Sequence, residues 1–316
     1  MGRLDIVQQR KMEGLRIFFN TLEYRTPHFH DSIEIIWVME GRLLVYSEGD
    51  TLTLNEGETL IFNMNRLHEY KKLDDEGCTM LAYQIGPSFL EKEVEDIRDV
   101  HFDAHALKYL PGELKEKIEY DLFQVAYQYI ASLPYYELYC KSKIQEVIYE
   151  LLLNGSYQKI SAEESIRTKS QNARFQRLMQ FVDQNYMKKI RLIDFAESEN
   201  LSLSSVGHLM KKEINMNFQE YVNYIRFNAA YKLMLTTKYN MTDICIESGF
   251  SDYRYFVNTF IQYTGMTPKE YSSRIQAMVG DETQMHHSIH SRERFYNSEQ
   301  SIALLEKYKE RYIKGC

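Results

Sequence analysis

Two stretches near the carboxyl end carry polar side chains at a spacing suited to reading hydrogen-bonding groups. Residues 190–217 read IRLIDFAESENLSLSSVGHLMKKEINMN, and residues 239–267 read YNMTDICIESGFSDYRYFVNTFIQYTGMT. In the first, Leu192, Phe195 and Ala196 fall on one face of a short helix. Glu199–Asn200–Leu201 interrupts it, and Ser202 is placed to cap a second helix whose Val206, Leu209 and Met210 face inward. Asn200 stands where a tight turn needs left-handed backbone, which Asn tolerates. Small Ala196 lets the two helices cross closely. In the second stretch Ile244 and Cys245 take the places of Phe195 and Ala196, Gly249 that of Asn200 and Asp252 that of Ser202. Phe256 and Phe260 take those of Val206 and Met210. The residues left facing outward are Ser204, Ser205, Gly207 and His208 in one helix, and Tyr253, Arg254, Val257 and Asn258 in the other. Arg254 has the fork to bond guanine and Asn258 the amide to bond adenine. Lys211 and Lys212 suit phosphates. A single such unit reads as a plain helical corner. Its duplication about 50 residues on, across a long helix Phe218–Leu235, gives paired helix-turn-helix geometry. Two reading helices would then enter successive major grooves roughly 34 Å apart.

The elements that must carry these helices follow from periodicity. Residues 15–86 read as β: short apolar runs such as IEIIWVMEG, TLTLNEGET and CTMLAYQIG alternate with Gly-containing turns, as in a small barrel. Residues 87–158 switch to helical spacing, with Ile118, Leu122, Val125, Ala126, Tyr129 and Ile130 on one stripe and Ile144, Val147, Ile148, Leu151 and Leu152 on another. Residues 159–172, KISAEESIRTKSQN, are polar and read as a linker. Residues 173–274 are helical, in about seven segments; 276–292 read as flexible; Glu299–Tyr312 reads as one amphipathic helix through Ile302, Leu305, Tyr308 and Tyr312.

Composition narrows the class. The chain has 316 residues, 38 Lys and Arg against 45 Asp and Glu, and only 5 Pro. That length predicts two or three domains and excludes a collagen-like or wholly disordered chain. The acidic balance is uneven: residues 1–170 hold 19 basic and 29 acidic side chains, whereas residues 171–274 hold 13 and 10. A mildly basic block can attract phosphate within an acidic protein, because attraction depends on the local patch. No apolar run approaches the ~20 residues of a membrane span. The start, MGRLDIVQQRKMEGLR, lacks an apolar signal core, and the 4 cysteines are scattered, which fits a reducing cytoplasm.

Residues 173–274 resemble the DNA-binding domain of the arabinose-operon-regulator (AraC/XylS-type) transcription factors. The likeness is carried above all by Ile244–Tyr271, with GFSD, YF, F and YTGMTPKEY. It implies that both helix-turn-helix units bind DNA and that the second helix of each reads bases. His208 and Asn258 depart from the Arg often found there, and Ile261 from a basic residue, which implies modest affinity. Residues 28–41, HFHDSIEIIWVMEG, followed by Gly57 and His68, resemble the cupin barrel, the commonest partner of that domain. In metal-binding cupins the positions matching His28, His30, Glu34 and His68 hold the ion, a set suited to Fe, Mn, Ni or Zn. Strand alternation points His28, His30 and Glu34 the same way. The second motif departs from the enzyme pattern, with Asn63 and Asn65 where Pro and Gly are favoured. The expectation is therefore a small-molecule pocket in the barrel mouth, lined by Tyr24, His28, His30, Glu34, Trp37 and His68, without metal or other cofactor. The sole Trp fits a sugar-stacking role less well than a core one. His286, His287 and His290 read as solvated tail.

The reading is a multidomain α+β chain. It comprises a cupin-like sensor barrel with flanking helices (1–105), dimerisation helices (106–158), a linker (159–172), an all-α domain with two helix-turn-helix units (173–274) and an extension (275–316). It is expected to be a cytoplasmic, non-enzymatic transcription regulator. Its expected partners are double-stranded DNA, a small-molecule effector such as a sugar, a second copy of the chain and RNA polymerase, with no membrane. The alternative is a metal-dependent cupin enzyme fused to a DNA-binding module; a third reading is an effector-independent binder with the barrel as dimer scaffold.

Overall fold

The computed structural model describes residues 12–47, 49–74, 77–278 and 286–312, apart from the side chains of 275–278, 286, 287, 311 and 312. Most of the stretch read as lacking a signal core, residues 1–11, lies outside that range.

Seven strands come first: β1 (Leu15–His28), β2 (Ile33–Glu40), β3 (Leu43–Ser47), β4 (Asp50–Leu54), β5 (Thr59–Phe62), β6 (His68–Lys72) and β7 (Cys78–Ile85). They pair antiparallel in the order β4-β3-β6-β1-β7-β2-β5 and form a nearly closed barrel. Then follow β8 (Val100–Phe102), helices α1 (Gly112–Ala131) and α2 (Tyr136–Asn154), and β9 (Tyr157–Lys159), which pairs with β8. The all-α part holds α3 (Ala162–Asn185), α4 (Leu192–Ser198), α5 (Leu203–Ile214), α6 (Phe218–Thr236), α7 (Met241–Glu247), α8 (Tyr253–Thr264) and α9 (Pro268–Met278). The chain ends with β10 (His286–His287), β11 (Ser291–Phe295) and α10 (Ser298–Tyr312).

Strand β2, between β7 and β5, is buried on both faces, which is why IEIIWVME shows no polar alternation. Its Ile36 and Val38 face the barrel interior with Leu22, Leu43, Val45, Leu60, Phe62 and Met80. Its Ile35, Trp37 and Met39 face outward into a second cluster, with Phe19, Leu81 and Tyr83, that α1, α2 and α10 cover. Trp37 is thus a core residue under the helices and does not line the barrel mouth, because it shares parity with Ile35 rather than with Glu34.

Two segments depart from the sequence reading. The stretch 159–172 holds the last residue of β9, a two-residue connection and the opening turns of α3 rather than a linker. Ser161 caps α3 by accepting from the Glu164 amide at 3.1 Å, and Glu163 and Glu164 complement the helix dipole in its first turn. A helix exposed on most faces has the composition of a linker, so polarity alone misleads here. The extension after 285 is integral to the barrel: β11 pairs with β1 from Asn20 to Arg25, and Asn20 bonds Glu293 in the interior. The helix expected near Glu299 is present as α10, with Leu305 and Tyr308 fully buried against the barrel and α1.

Truncation of Leu305 should therefore behave as a core mutation. Leu305→Ala is expected to cost about 2–5 kcal/mol in urea unfolding followed by Trp37 fluorescence. A chain ending at residue 285 should lose more; an unchanged urea midpoint for that chain would contradict the role given to β11 and α10.

Candidate DNA-reading surface and barrel site

The two helix-turn-helix units share one backbone pattern. At the first turn the Leu201 amide donates to Ala196 O (2.8 Å) and the Asn200 amide to Glu197 O (3.2 Å). At the second the Phe250 amide donates to Cys245 O (3.0 Å) and the Gly249 amide to Ile246 O (2.9 Å). Asn200 and Gly249 both have left-handed backbone, φ 55° and 85°. Ser202 caps α5 by accepting from Ser205 N, and Asp252 caps α8 by accepting from Tyr255 N. Val206, Met210, Phe256 and Phe260 are completely buried.

The outward residues follow from that burial. Ser204, Ser205, His208, Lys211 and Lys212 on α5 are exposed, as are Tyr253, Arg254 and Asn258 on α8. Gly207 is half-buried, and Val257 packs partly against the core of the second unit, so Val257 is not a free reading position. Tyr255 is also exposed, at the start of α8, and bonds Asn223. Ile261 is exposed on the same helix.

One helix supports both units. The first packs on Tyr221, Val222 and Ile225 of α6, the second on Phe227, Ala230, Tyr231 and Met234. Between them Arg226, nearly buried, donates from Nε to Tyr186 O and from Nη2 to Lys188 O, both at 2.8 Å, and so caps the end of α3. A Cβ on Gly249 would sit 2.7 Å from Met187 Cα and from Tyr186 O, so the second turn nests against the same corner.

The barrel site centres on Glu34, which is buried and accepts from Tyr70 Oη (2.8 Å) and Gln84 Nε2 (2.9 Å). His30 Nε2 and His68 Nε2 each lie 3.2 Å from Glu34 Oε2. Ligand atoms of His30, Glu34 and His68 all fall within 4.8 Å of one another. His28 is outside that trio but stacks edge-on against His68, ring centroids 4.2 Å apart. The structure thus unites His28, His30, Glu34 and His68. Tyr70 and Gln84 were missed by the sequence reading. Tyr70 was within reach, two residues past His68 on the same strand face; Gln84 meets Glu34 only through the β2–β7 register.

The nitrogens of this site show what it can hold. Each of the three imidazoles directs Nδ1 at a backbone carbonyl: His28 at Thr26, His30 at Ser32 and His68 at Arg66. A carbonyl only accepts, so this network assigns a hydrogen to Nδ1 of each ring and turns Nε2 toward the site. Nε2 of His28 is buried without a hydrogen-bond partner. Burial pushes the His28 and His68 pKa values down, for His28 with help from His68 and Arg25. Burial works to raise the Glu34 carboxyl, but His30 and His68 outweigh it and hold it well below the usual range. Glu34 stands as a carboxylate facing Nε2 of His30 and His68, and Nδ1–H donated to carbonyls is how metal-ligating histidines are oriented. The donor set fits a divalent transition ion.

Tyr24 does not line this site. Irregularities in the β1 register, between Leu22 and Tyr24 and between Arg25 and His28, break the alternation that would have placed it there. It faces α6 instead, 6.2 Å from the Tyr231 ring, and donates to Ser288 O at 2.9 Å. Nearby, Tyr224 Oη donates to Glu69 (2.8 Å) and Tyr231 Oη to Glu23 (3.0 Å), so α6 is bonded to β6 and β1. Burial raises the Glu69 carboxyl. His290, read as solvated tail, bridges Thr26 of the barrel (3.1 Å) and Asp183 of α3 (3.0 Å); the side chains of His286 and His287 lie outside the described residues.

The chain is similar to known regulators. Residues 195–274 match the family described as helix-turn-helix domain, and residues 13–115 the family described as AraC-like ligand binding domain. The HTH-type transcriptional regulator YdeC of Bacillus subtilis is 24% identical over 254 residues, 78% of this chain and 86% of that one. The HTH-type transcriptional activator RhaR of Mannheimia succiniciproducens is 31% identical over 43% of each chain. A related regulator of Staphylococcus aureus is 21% identical, and this chain spans only 34% of its length. Among solved structures, ToxT from Vibrio cholerae aligns over 82% of this chain at 15% identity with a TM-score of 0.38.

Because Gly249 has no room for a side chain, Gly249→Val is expected to lose about 1–3 kcal/mol of stability in the all-α part and most of its DNA binding. Thermal unfolding and fluorescence anisotropy on a duplex would read both; wild-type behaviour in both would contradict the nesting of the second turn.

Proposed function

Starting from a chain that belongs to the AraC-type transcription regulators and carries an amino-terminal ligand-binding domain, we propose that it reads DNA with α5 and α8 together. Ser204, Ser205 and His208 on α5 and Tyr253, Arg254 and Asn258 on α8 face base edges, with Gly207 allowing close approach. Lys211 and Lys212 bind phosphates. The observation that carries this is the pair of matched turns, each with a capped second helix whose outer face is open. The chain acts as a cytoplasmic regulator rather than an enzyme, in keeping with its relatives. Among the described residues no helix is long and apolar enough to cross a membrane. Pairing of two chains through α2 is supported by its exposed Leu138, Tyr149 and Leu153. RNA polymerase is the partner through which such a dimer would act on transcription.

The barrel supports a second reading, of what the ligand-binding domain takes. The interior is filled by aliphatic and aromatic side chains, and its polar end is closed by Glu34 and the histidines. A sugar needs a cavity of several hundred Å3, whereas an ion needs only the lone pairs. His30, Glu34 and His68 would hold a divalent transition ion, with His28 beside them. Bound there, the ion would supply positive charge beside the buried Glu34 carboxylate. The chain's own residues do the rest: Tyr70 and Gln84 orient Glu34, and β6 carries His68 next to Glu69, which grips Tyr224 of α6.

Three outcomes are expected. On a duplex selected by the chain from random sequence, Arg254→Ala should lose about 1–3 kcal/mol and relax discrimination at one position. Lys211→Ala should weaken all sequences alike and lower the salt slope by about 0.9; wild-type binding by both variants would sink the reading-face assignment. Elemental analysis of chain purified from metal-supplemented culture should find about one transition ion per chain, lost in His68→Ala. A wild-type chain without metal after such growth would remove the ion from the proposal and leave the DNA assignment standing.

A further inference from the structure

A cleft of about 430 Å3 opens outside the barrel, where the sensor meets the start of α3. One wall is the β5–β6 loop with Asn63 and Arg66, another is β8 with His101 and the following Asp103, and the third is β9 with Tyr157 and Gln158. Its floor is preorganised: Asn63 Nδ2 donates to Phe102 O (2.9 Å) and Asn63 Oδ1 accepts from the Phe102 amide (2.8 Å). Arg66 Nη2 lies 2.7 Å from His101 Nδ1. A guanidinium only donates, so His101 Nδ1 holds the lone pair and Nε2 carries the hydrogen. Burial, then the Arg66 charge, pushes His101 down to about 4, which keeps that ring neutral and its Nε2–H intact at physiological pH.

The cleft is therefore lined by the Arg66 cation beside the His101 imidazole, by Gln158, paired with His101 across the β8–β9 ladder, and by Asp103, whose carboxylate accepts from the His105 amide at 2.8 Å. We infer that it binds a small hydrophilic metabolite with one oxyanion, carboxylate or phosphate ester, and hydroxyl or amino groups beside it. The oxyanion sits at Arg66 and His101, and the hydroxyl or amino groups meet Asp103 and Gln158. The volume matches small-molecule sites generally. This inference rests on the regulator reading above and supplies the organic effector for which the barrel interior leaves little space.

The position couples such a ligand to the DNA-binding part. In the Arg66 loop, Asn65 O accepts from Asn172 of α3, Leu67 packs into the core of the first helix-turn-helix unit, and the next residue is His68. The Gln158 wall runs into Ser161, the cap of α3. A ligand bridging Arg66 and Gln158 would tie the barrel loop to the start of α3 and so change which arrangement of the two parts is favoured.

The test is isothermal titration of the full chain with inorganic phosphate, with glycerol 3-phosphate and with malate, each to about 10 mM, a level at which even weak sites fill. One arm should bind at sub-millimolar Kd. That Kd should weaken at least tenfold in Arg66→Gln and a few-fold in the exposed-strand variant Gln158→Ala, and should be unchanged in Lys92→Ala at an exposed site away from the cleft lining. Phosphate-ester binding without malate binding, or the reverse, names the oxyanion. Heat from none of the three, or a Kd untouched by Arg66→Gln in a chain whose thermal unfolding is normal, overturns the inference. Anisotropy on duplex DNA is measured separately without ligand: its failure removes the regulator reading, while titration still decides the cleft.

Discussion

A single helix, α6, holds the arrangement on which reading DNA depends. It is buried along almost its whole length, with apolar residues on every side rather than on one stripe. Its first half is the core of one helix-turn-helix unit and its second half the core of the other, so the separation and relative rotation of α5 and α8 are set by a rigid rod. Arg226 at its middle caps α3 through two carbonyls, and the Gly249 turn rests on the same carbonyl of Tyr186. Any side chain at that corner would move one reading helix relative to the other.

The same helix is the surface that the sensor holds. Tyr224 and Tyr231 reach from α6 to Glu69 and Glu23, and Arg292 of β11 lies over the Tyr231 ring while pairing with Glu23. Strand alternation then does the coupling: on β6, His68 and Tyr70 point into the barrel at Glu34 while Glu69 between them points out at Tyr224. An event inside the barrel is one peptide unit from the contact with the DNA-binding part. The carboxyl-terminal segment joins the same junction, since His290 bonds both Thr26 and Asp183.

The sequence-based errors share a cause. Tyr24 and Trp37 were placed at the barrel mouth with the histidines, although Trp37 has the opposite parity to Glu34 on β2 and the register of β1 breaks between Leu22 and His28. Register irregularities in β1 turned Tyr24 toward α6, and helices covering the outer face gave Trp37 a second interior to fill. The stretch 159–172 was legible as polar but not as helix, because a solvated helix and a linker draw on the same residues. Val257 counted as outward by spacing, yet a helix lodged between α6 and α9 buries more than one stripe.

The sequence by itself determined the local chemistry: the caps Ser202 and Asp252, the left-handed Asn200 and Gly249, the buried Phe256 and Phe260, and the outward Arg254 and Asn258. These are properties of spacing within about a dozen residues, and spacing is what a sequence states. It also grouped His28, His30 and Glu34, though on one strand, whereas His28 ends β1, His30 lies in the connection and Glu34 is on β2. Only the tertiary structure decided that Tyr70 and Gln84 hold Glu34 beside those histidines, that Arg66 meets His101 across 35 residues, and that the last strand and helix complete the barrel. Those contacts depend on register between distant strands, which is settled by burying both faces of the sheet at once and by no short-range pattern.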